Sequence, residues 1–450
     1  MTASDPYPAP PAPAPPAPAS SAAVRRGGTS RRALLAGSVG NLVEWYEFGV
    51  YGCLATVIAA NFFTPSESGT GGTGGAEALV ATYASFALAF FFRPVGAVLF
   101  GRLGDRVGRR PALIAVVGLM TLATVLIGLL PTRGAIGPAA PWLLTLLRAL
   151  QGLSAGGEFG GAVSLMTEYA PVGRRGVYGA WQSFTVALGL LTGAGTAASL
   201  ASALSAEALH AWGWRIPFLL ALPLGAVALW LRTAVEEPPG APPAAGAVPQ
   251  AGPRELARAV VLGVGRIMGW SAAGYTFLVV LPSYLQAALG ASLREALVAT
   301  ALANTGFAAA ILPAGALSDR IGRRPVMLCG ALGVVVLALP LLHVLQSPGA
   351  SPWARAGAVL LAGALVGLLA GPGPAMLAEM FPRRVRCTGL GLAYSLGNAV
   401  FSGCAGLVIT ALIAGTGDTA VPAYYAAGAC ALSCPALLSL RGRDHREPLR

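Results

Sequence analysis

The sequence predicts an all-α integral membrane protein with twelve transmembrane helices in two six-helix halves, and three observations carry that expectation. Hydrophobic residues make up 55% of the 450 and charged residues 11%, with a mean hydropathy of +0.67. That is too little polar surface to coat a soluble body of this length. Twelve apolar runs, each near the roughly 20 residues a spanning helix needs, follow one another along the chain. A short arginine-rich cassette occurs twice, Gly101 to Pro111 and Gly315 to Pro325, identical at eight of eleven positions and offset by 214 residues. Each copy lies between two apolar runs, the pattern of a duplicated bundle.

The runs begin near Ala33, Glu77, Ala112, Pro141, Val177, Gly213, Arg258, Glu295, Val326, Trp353, Cys387 and Val421. They are unbroken and rich in Leu, Ala and Gly, whereas a membrane barrel would show alternating segments of about ten residues. Residues 1–32 are rich in Pro, Ala and Ser and cannot bury a core, so they read as a disordered cytoplasmic tail. Arg31-Arg32 resembles a twin-arginine export signal, but the run behind it carries Glu44 and Glu47 and is followed by eleven more spans. The expected division is therefore a first bundle at 33–232, a Pro- and Gly-rich cytoplasmic linker at 233–254, a second bundle at 255–440 and a short cytoplasmic tail at 441–450.

The net charge of +12 could suggest nucleic acid, yet its distribution argues for a membrane. All thirty basic residues are arginines; with both ends inside, 23 fall on the inner side, four lie within spans, and only Arg133, Arg294 and Arg355 lie outside. The positive-inside rule thus places both termini in the cytoplasm, in an inner or plasma membrane. The six cysteines show no metal-ligand spacing and read as apolar filler. Gly69 to Gly74 matches a dinucleotide fingerprint by letter but follows no strand, so it reads as an outer loop. No nucleophile motif, zinc motif or nucleotide-binding domain is evident, so neither an enzyme nor an ATP-driven pump is expected.

Ionisable groups inside spans are costly and are functional candidates by default. Glu44, Glu47 and Tyr51 recur at i, i+3 and i+7, one face of the first helix. Repulsion and desolvation disfavour two adjacent carboxylates both being charged, so one is expected to carry a proton reversibly. Arg93 lies about 12 Å of helix from the cytoplasmic end of span two. Its guanidinium can hold a carboxylate bidentately, or can form a structural pair with Glu44, Glu47 or Glu158. Arg148, on span four, is placed to pair with Glu47 and control its proton. Arg215, beside Trp212 and Trp214, reads as an outer-interface anchor. Gly152, Gly156 and Gly160 recur every fourth residue on span four, and Gly189 to Gly195 is a similar strip on span five; such strips let backbones approach closely.

The repeated cassettes have their own chemistry. Asp105 and Asp319 can cap the next helix, and Arg109 and Arg323 can bridge to carboxylates closing other helices. Such carboxylates recur as well: Glu168 before Pro171 and Arg174-Arg175, and Glu379 before Pro382 and Arg383-Arg384, at an offset of 211. These read as cytoplasmic latches.

The paired loops resemble those of the major facilitator superfamily. More narrowly, the chain resembles its metabolite:proton symporter family through Gly40 to Phe48, Phe92 to Gly96, Arg148 to Gly161, Trp212 to Phe218 and Ala378 to Gly391. The likeness runs from about Gly37 to Leu440. It implies carriage of α-ketoglutarate, citrate, other dicarboxylates, shikimate, or zwitterions such as proline and glycine betaine, together with protons. It also implies a central cavity lined by Glu47, Arg93, Arg148, Gln182, Tyr394 and Asn398. Two departures bear on this: the family usually has Asp where Glu47 stands, and the tail after the last span is too short for the coiled coil of osmosensing members. Span five lacks an antiporter-type glycine-proline motif, as the resemblance implies.

The expected function is alternating-access symport of a proton with a small carboxylate, the alternative being a zwitterionic osmolyte. The candidates are Glu44, Glu47, Arg148 and Glu158 for proton coupling; Arg93, Tyr51, Gln182, Tyr394 and Asn398 for substrate; and Asp105, Arg109, Glu168, Asp319, Arg323 and Glu379 for the gate. The expected partners are a small-molecule substrate, a proton and the lipid bilayer. No nucleic acid, cofactor or metal is expected, and the chain is expected to be a monomer.

Overall fold

The computed structural model describes residues 20–64, 74–107, 109–156, 159, 160, 163, 166, 167, 170, 171, 173–233, 253–381 and 386–440. Of these, residues 20–36, 74, 101, 104, 105, 109, 110, 253, 387 and 388 are described by their backbone only. The linker residues 234–252 and the tail 441–450 lie outside the described residues.

Among the described residues, twelve helices follow one another in the places of the twelve expected spans. They are α1 (Ser20–Cys53, continuing bent into Ala55–Phe63), α2 (Gly74–Val107), α3 (Arg109–Leu129), α4 (Ala139–Ala155) and α5 (Arg175–Ala203). They continue with α6 (Ala206–Thr233), α7 (Arg254–Ala287), α8 (Leu293–Ile321), α9 (Arg323–Gln346), α10 (Pro352–Met380), α11 (Gly389–Thr416) and α12 (Val421–Leu438). Ten are long and apolar enough to cross a membrane on their own, and α1 qualifies when its two parts, bent by 64° at Leu54, are taken together. The twelfth, α4, is a continuous helix over its first 17 residues, beyond which the description is interrupted. The backbone of α1 is already helical at Ser20, inside the segment expected to be an unstructured tail.

Small residues set the helix contacts, because lipid tails supply no hydrophobic drive between helices and backbone proximity must supply dispersion instead. A side chain at Gly152 would overlap the Ala89 carbonyl, and one at Gly156 the Arg93 carbonyl, so the α4 strip lies directly on α2. The second half repeats the device: Gly363 of α10 lies against the Ala303 carbonyl of α8, and Gly306 against that of Leu360. Gly189 and Gly193 seat α5 on α1 at Leu42, Trp45 and Tyr46.

Four π-helical turns interrupt the ladders, at Ala59–Phe63, Leu209–Gly213, Thr276–Val280 and Asn398–Gly403. The turns in α1 and α7 sit at equivalent places of the two halves. Those in α7 and α11 face the centre, where π-turns commonly mark functional sites. Arg215 donates to the carbonyls of Ala211 and Leu130 and stacks 4.4 Å from the Trp214 ring. Arg266, the fourth arginine within a span, ties α7 to α12 through the Ala436 carbonyl and Ser439.

Candidate functional site

Four charged side chains are buried together in the first half, on three helices. Glu44 and Glu47 on α1 are 5% and 0% exposed, Arg93 on α2 is 2% and Arg148 on α4 is 0%. The i, i+3 spacing puts both acids on the buried face of α1, and the α2–α4 glycine contact brings the two arginines close behind them.

Arg93 pairs with Glu44, Nη2 to Oε1, at 3.2 Å, and Glu44 is buried from solvent. The pair is not aligned for a hydrogen bond, and Arg93 Nε and Nη2 are buried without a hydrogen-bond partner. The guanidinium instead lies over the rings of Phe90 (4.3 Å), Phe48 (4.7 Å) and Trp45 (5.5 Å). Such cation–π contact stabilises a desolvated cation while leaving its N–H groups available.

Arg148 does not contact Glu47, contrary to the expected ion pair. Two neutral side chains stand between them: Arg148 Nη1 donates to Gln151 Oε1 (2.7 Å), Gln151 Nε2 donates to Thr124 Oγ1 (2.5 Å), and Thr124 Oγ1 donates to Glu47 Oε2 (2.5 Å). The reason is steric and electrostatic. Arg148 is drawn onto an aromatic shelf, 4.0 Å from the Tyr51 ring, 4.7 Å from Phe86 and 5.0 Å from Phe48. Tyr51, expected as a substrate contact, serves as part of that shelf, its hydroxyl held by Ser85 at 2.7 Å.

Beside this cluster, between the halves, is a cavity of about 30 Å³. Its walls include Trp45 (α1), Ser183 (α5), Trp270 and Tyr275 (α7), Tyr394 and Asn398 (α11). A space of that size holds about two water molecules, so the halves must separate to admit any metabolite. Tyr394 and Asn398 belong to this wall. Glu47, Arg93, Arg148 and Gln182 are one layer behind the wall; Gln182 packs beside Asn41, whose amide donates to the Gln182 carbonyl and to Thr185. Residue spacing offered no sign of Ser271 and Ser402, which both hydrogen-bond Asn398 Oδ1, at 3.4 and 2.7 Å. They are small, common residues brought together only by the π-turn of α11.

Residues 33–240 match the family described as "Sugar (and other) transporter", and residues 260–450 match "Major Facilitator Superfamily". Over 85% of its length the chain is 36% identical to the alpha-ketoglutarate permease of Escherichia coli, covering 88% of that protein. The chain belongs to the major facilitator superfamily. Other relatives in the superfamily differ in cargo by name. A glycine betaine/proline/ectoine/pipecolic acid transporter of Dickeya dadantii is 32% identical (88% of this chain, 80% of that one), and a citrate-proton symporter of Klebsiella pneumoniae is 34% identical (89% of each). Among solved structures, the proton:xylose symporter XylE superposes with a TM-score of 0.71 over 92% of this chain and 95% of that one, at 18% identity, a likeness of fold.

Among the described residues, contacts join the two halves on both sides of the cavity. On the arginine-rich face, Asp319 of α8 accepts from the backbone N–H groups of Gly176 (2.7 Å) and Val177 (3.0 Å). It therefore caps α5 of the other half, not the helix after it, where the positive end of the dipole favours a carboxylate. The choice follows from the crossing of α5 and α8, so close that a side chain at Gly176 would overlap the Gly315 carbonyl. Arg323 binds Asp319 at 2.7 Å and grips Glu379 through Nε (3.3 Å) and Nη2 (2.9 Å), with Arg175 of α5 at 3.8 Å from the same carboxylate. In the first half, the side chains of Asp105 and Arg109 and the whole of Glu158 and Glu168 lie outside the described residues. Between latch and cavity the Phe159 and Tyr394 rings stack at 3.3 Å across the halves. On the opposite face Tyr83 of α2 meets Ser283 of α7 at 2.6 Å, and Thr56 donates to Gln286 at 3.1 Å.

Breaking a buried pair costs about 3–5 kcal/mol, because the remaining charge is left uncompensated. Glu379→Gln keeps the shape but weakens the grip of Arg323, so we expect at least about tenfold more opening toward the arginine-rich face. Maleimide labelling of a single cysteine placed at Ser183, on the cavity wall, measures it. A labelling rate equal to that of Ser183→Cys alone, with Glu379 intact, means the pair holds nothing shut.

Proposed function

We propose that the chain is a proton symporter of a small carboxylate metabolite. It works by rocking its two six-helix halves, 33–232 and 255–440, about the central cavity. The observation that carries this is the asymmetry of the site: two buried acids and two buried arginines in the first half lie behind a cavity whose second-half wall, among the described residues, holds no charged side chain. Glu47 is the proton carrier, wholly buried with Oε1 unpartnered. Arg93 is the anion anchor, its Nε and Nη2 unmatched behind Trp45. When the halves part, the side of the first half that carries Trp45 and Arg93 opens to the pathway, where a carboxylate can reach the unpartnered Arg93 Nε and compete with Glu44 for Nη2. Ser271, Asn398 and Ser402 complete the contact from the other half.

The arginine-rich face is cytoplasmic, with both termini, the linker 233–254 and the tail 441–450 on that side. The protein spans the inner or plasma membrane many times. Each chain holds a whole pathway, so it acts as a monomer on its substrate and proton.

A second reading is favoured by the cavity wall itself. Trp45, Trp270, Tyr275 and Tyr394 bring aromatic rings to that wall, which suits the ammonium end of a zwitterion such as proline or glycine betaine. Relatives carry names of both classes. Proteoliposomes with an imposed pH gradient decide between them when offered α-ketoglutarate, citrate, shikimate, proline and betaine. Accumulation of a carboxylate that collapses with a protonophore is expected; accumulation of proline or betaine alone establishes the second reading, and movement of none of them overturns both.

A further inference from the structure

The bridge between Glu47 and Arg148 has a polarity that its chemistry enforces. Arginine can only donate, so Gln151 must present its oxygen to Arg148 and therefore its NH₂ to Thr124. Thr124 must then accept from Gln151, and its single hydrogen is left for one of two acceptors: Glu47 Oε2 at 2.5 Å or the Met120 carbonyl at 3.0 Å. While Glu47 is anionic, that hydrogen points at the carboxylate. When Glu47 carries a proton on Oε2, the carboxyl O–H donates to Thr124 Oγ1, and the threonine hydrogen turns to Met120. Both states are satisfied at Thr124, through two rotor positions of one hydroxyl.

A purely structural network would be saturated at its ends. This one is not: Glu47 Oε1, Arg148 Nε and Arg148 Nη2 are all buried without partners. The spare capacity lies at the two charged ends, and the neutral middle is complete.

We propose that Thr124, with Gln151, is the positioning relay through which the protonation of Glu47 is reported to Arg148. No proton travels along the relay. The proton on Glu47 arrives from water at the open face and returns to water at the other, and only the direction of one O–H changes between. An anionic Glu47 keeps the relay polarised and Arg148 seated on its aromatic shelf; a protonated Glu47 withdraws that polarisation and loosens Arg148. The other charged or titratable side chains around Glu47 are Glu44, Tyr46 and Tyr51 on α1 itself, Arg93 on α2 and Tyr275 on α7. Arg232, at the end of α6, completes the surrounding charge at Glu44. None of these is hydrogen-bonded to Glu47; Thr124 alone is, among the described residues.

The inference rests on Glu47 being the proton carrier, and its test needs no substrate. Infrared titration of the purified wild-type protein in lipid identifies the carboxyl band that Glu47→Gln removes. Thr124→Val keeps the shape and deletes the hydroxyl, so the anion loses its charge-assisted bond. The midpoint of that band is expected to move to alkaline pH by about one unit or more, with Thr124→Ser restoring it. Should Thr124→Val fail to insert, Gln151→Met breaks the same relay and is expected to move the midpoint in the same direction. A wild-type midpoint in the inserting variant overturns the relay while leaving the transport reading intact. If Glu47→Gln removes no titrating band, Glu47 is not the carrier and the relay falls with that assignment.

Discussion

Arg93→Ala is expected to reduce uptake of an anionic substrate by about a hundredfold or more while the protein still inserts. Two charge-assisted hydrogen bonds to a carboxylate are worth about 1.5–3 kcal/mol each, and each 1.4 kcal/mol is tenfold in affinity. The substitution also leaves Glu44 buried without the partner 3.2 Å away, at a cost of about 3–5 kcal/mol in stability. Lost uptake from the single variant is therefore ambiguous. The pair Arg93→Ala with Glu44→Gln removes both charges together, which restores folding but supplies no anchor. Wild-type uptake of carboxylates by that double variant, in proteoliposomes with measured protein content, refutes the assignment.

Glu47→Gln is expected to separate movement from coupling. Glutamine has the shape of a protonated glutamate and can still meet Thr124, so the closed and open arrangements should both form and downhill exchange should continue. What it cannot do is release and regain a proton. With one proton per substrate and a gradient of one pH unit, a coupled carrier can concentrate its cargo about tenfold, since one pH unit corresponds to 1.36 kcal/mol. The variant should reach a ratio of about one. Accumulation that still follows the imposed gradient means that another group carries the proton.

The two halves could be read in the chain because lipid imposes a simple rule, that each span satisfies its own backbone and shows an apolar surface. The duplicated cassette then pointed to the symmetry, and the arginine distribution supplies an expectation of sidedness. Glu44, Glu47, Arg93 and Arg148 stood out because charge is rare in such helices. Asp319, Arg323 and Glu379 were conspicuous too, since they recur with their counterparts at matching offsets.

Other parts were not. Ser271, Ser402 and Thr124 are ordinary residues at unremarkable spacings, and their roles come from neighbours on other helices. The pairing of Arg148 was misread for a related reason: charge suggests the opposite charge as partner, yet the aromatic faces of Tyr51, Phe48 and Phe86 hold the guanidinium and leave Gln151 and Thr124 to span the gap. Asp319 was expected to cap the helix after it, and caps α5 because close crossing at Gly176 and Gly315 places another N-terminus nearer.

By itself the sequence determined that this chain is a duplicated helical membrane protein with acids and arginines sunk in its first half, because burial in lipid makes each such residue costly and therefore conspicuous. Only the tertiary structure decided which of them touch, since partner choice depends on distances of a few ångströms between helices whose approach is set by glycines far apart in the chain.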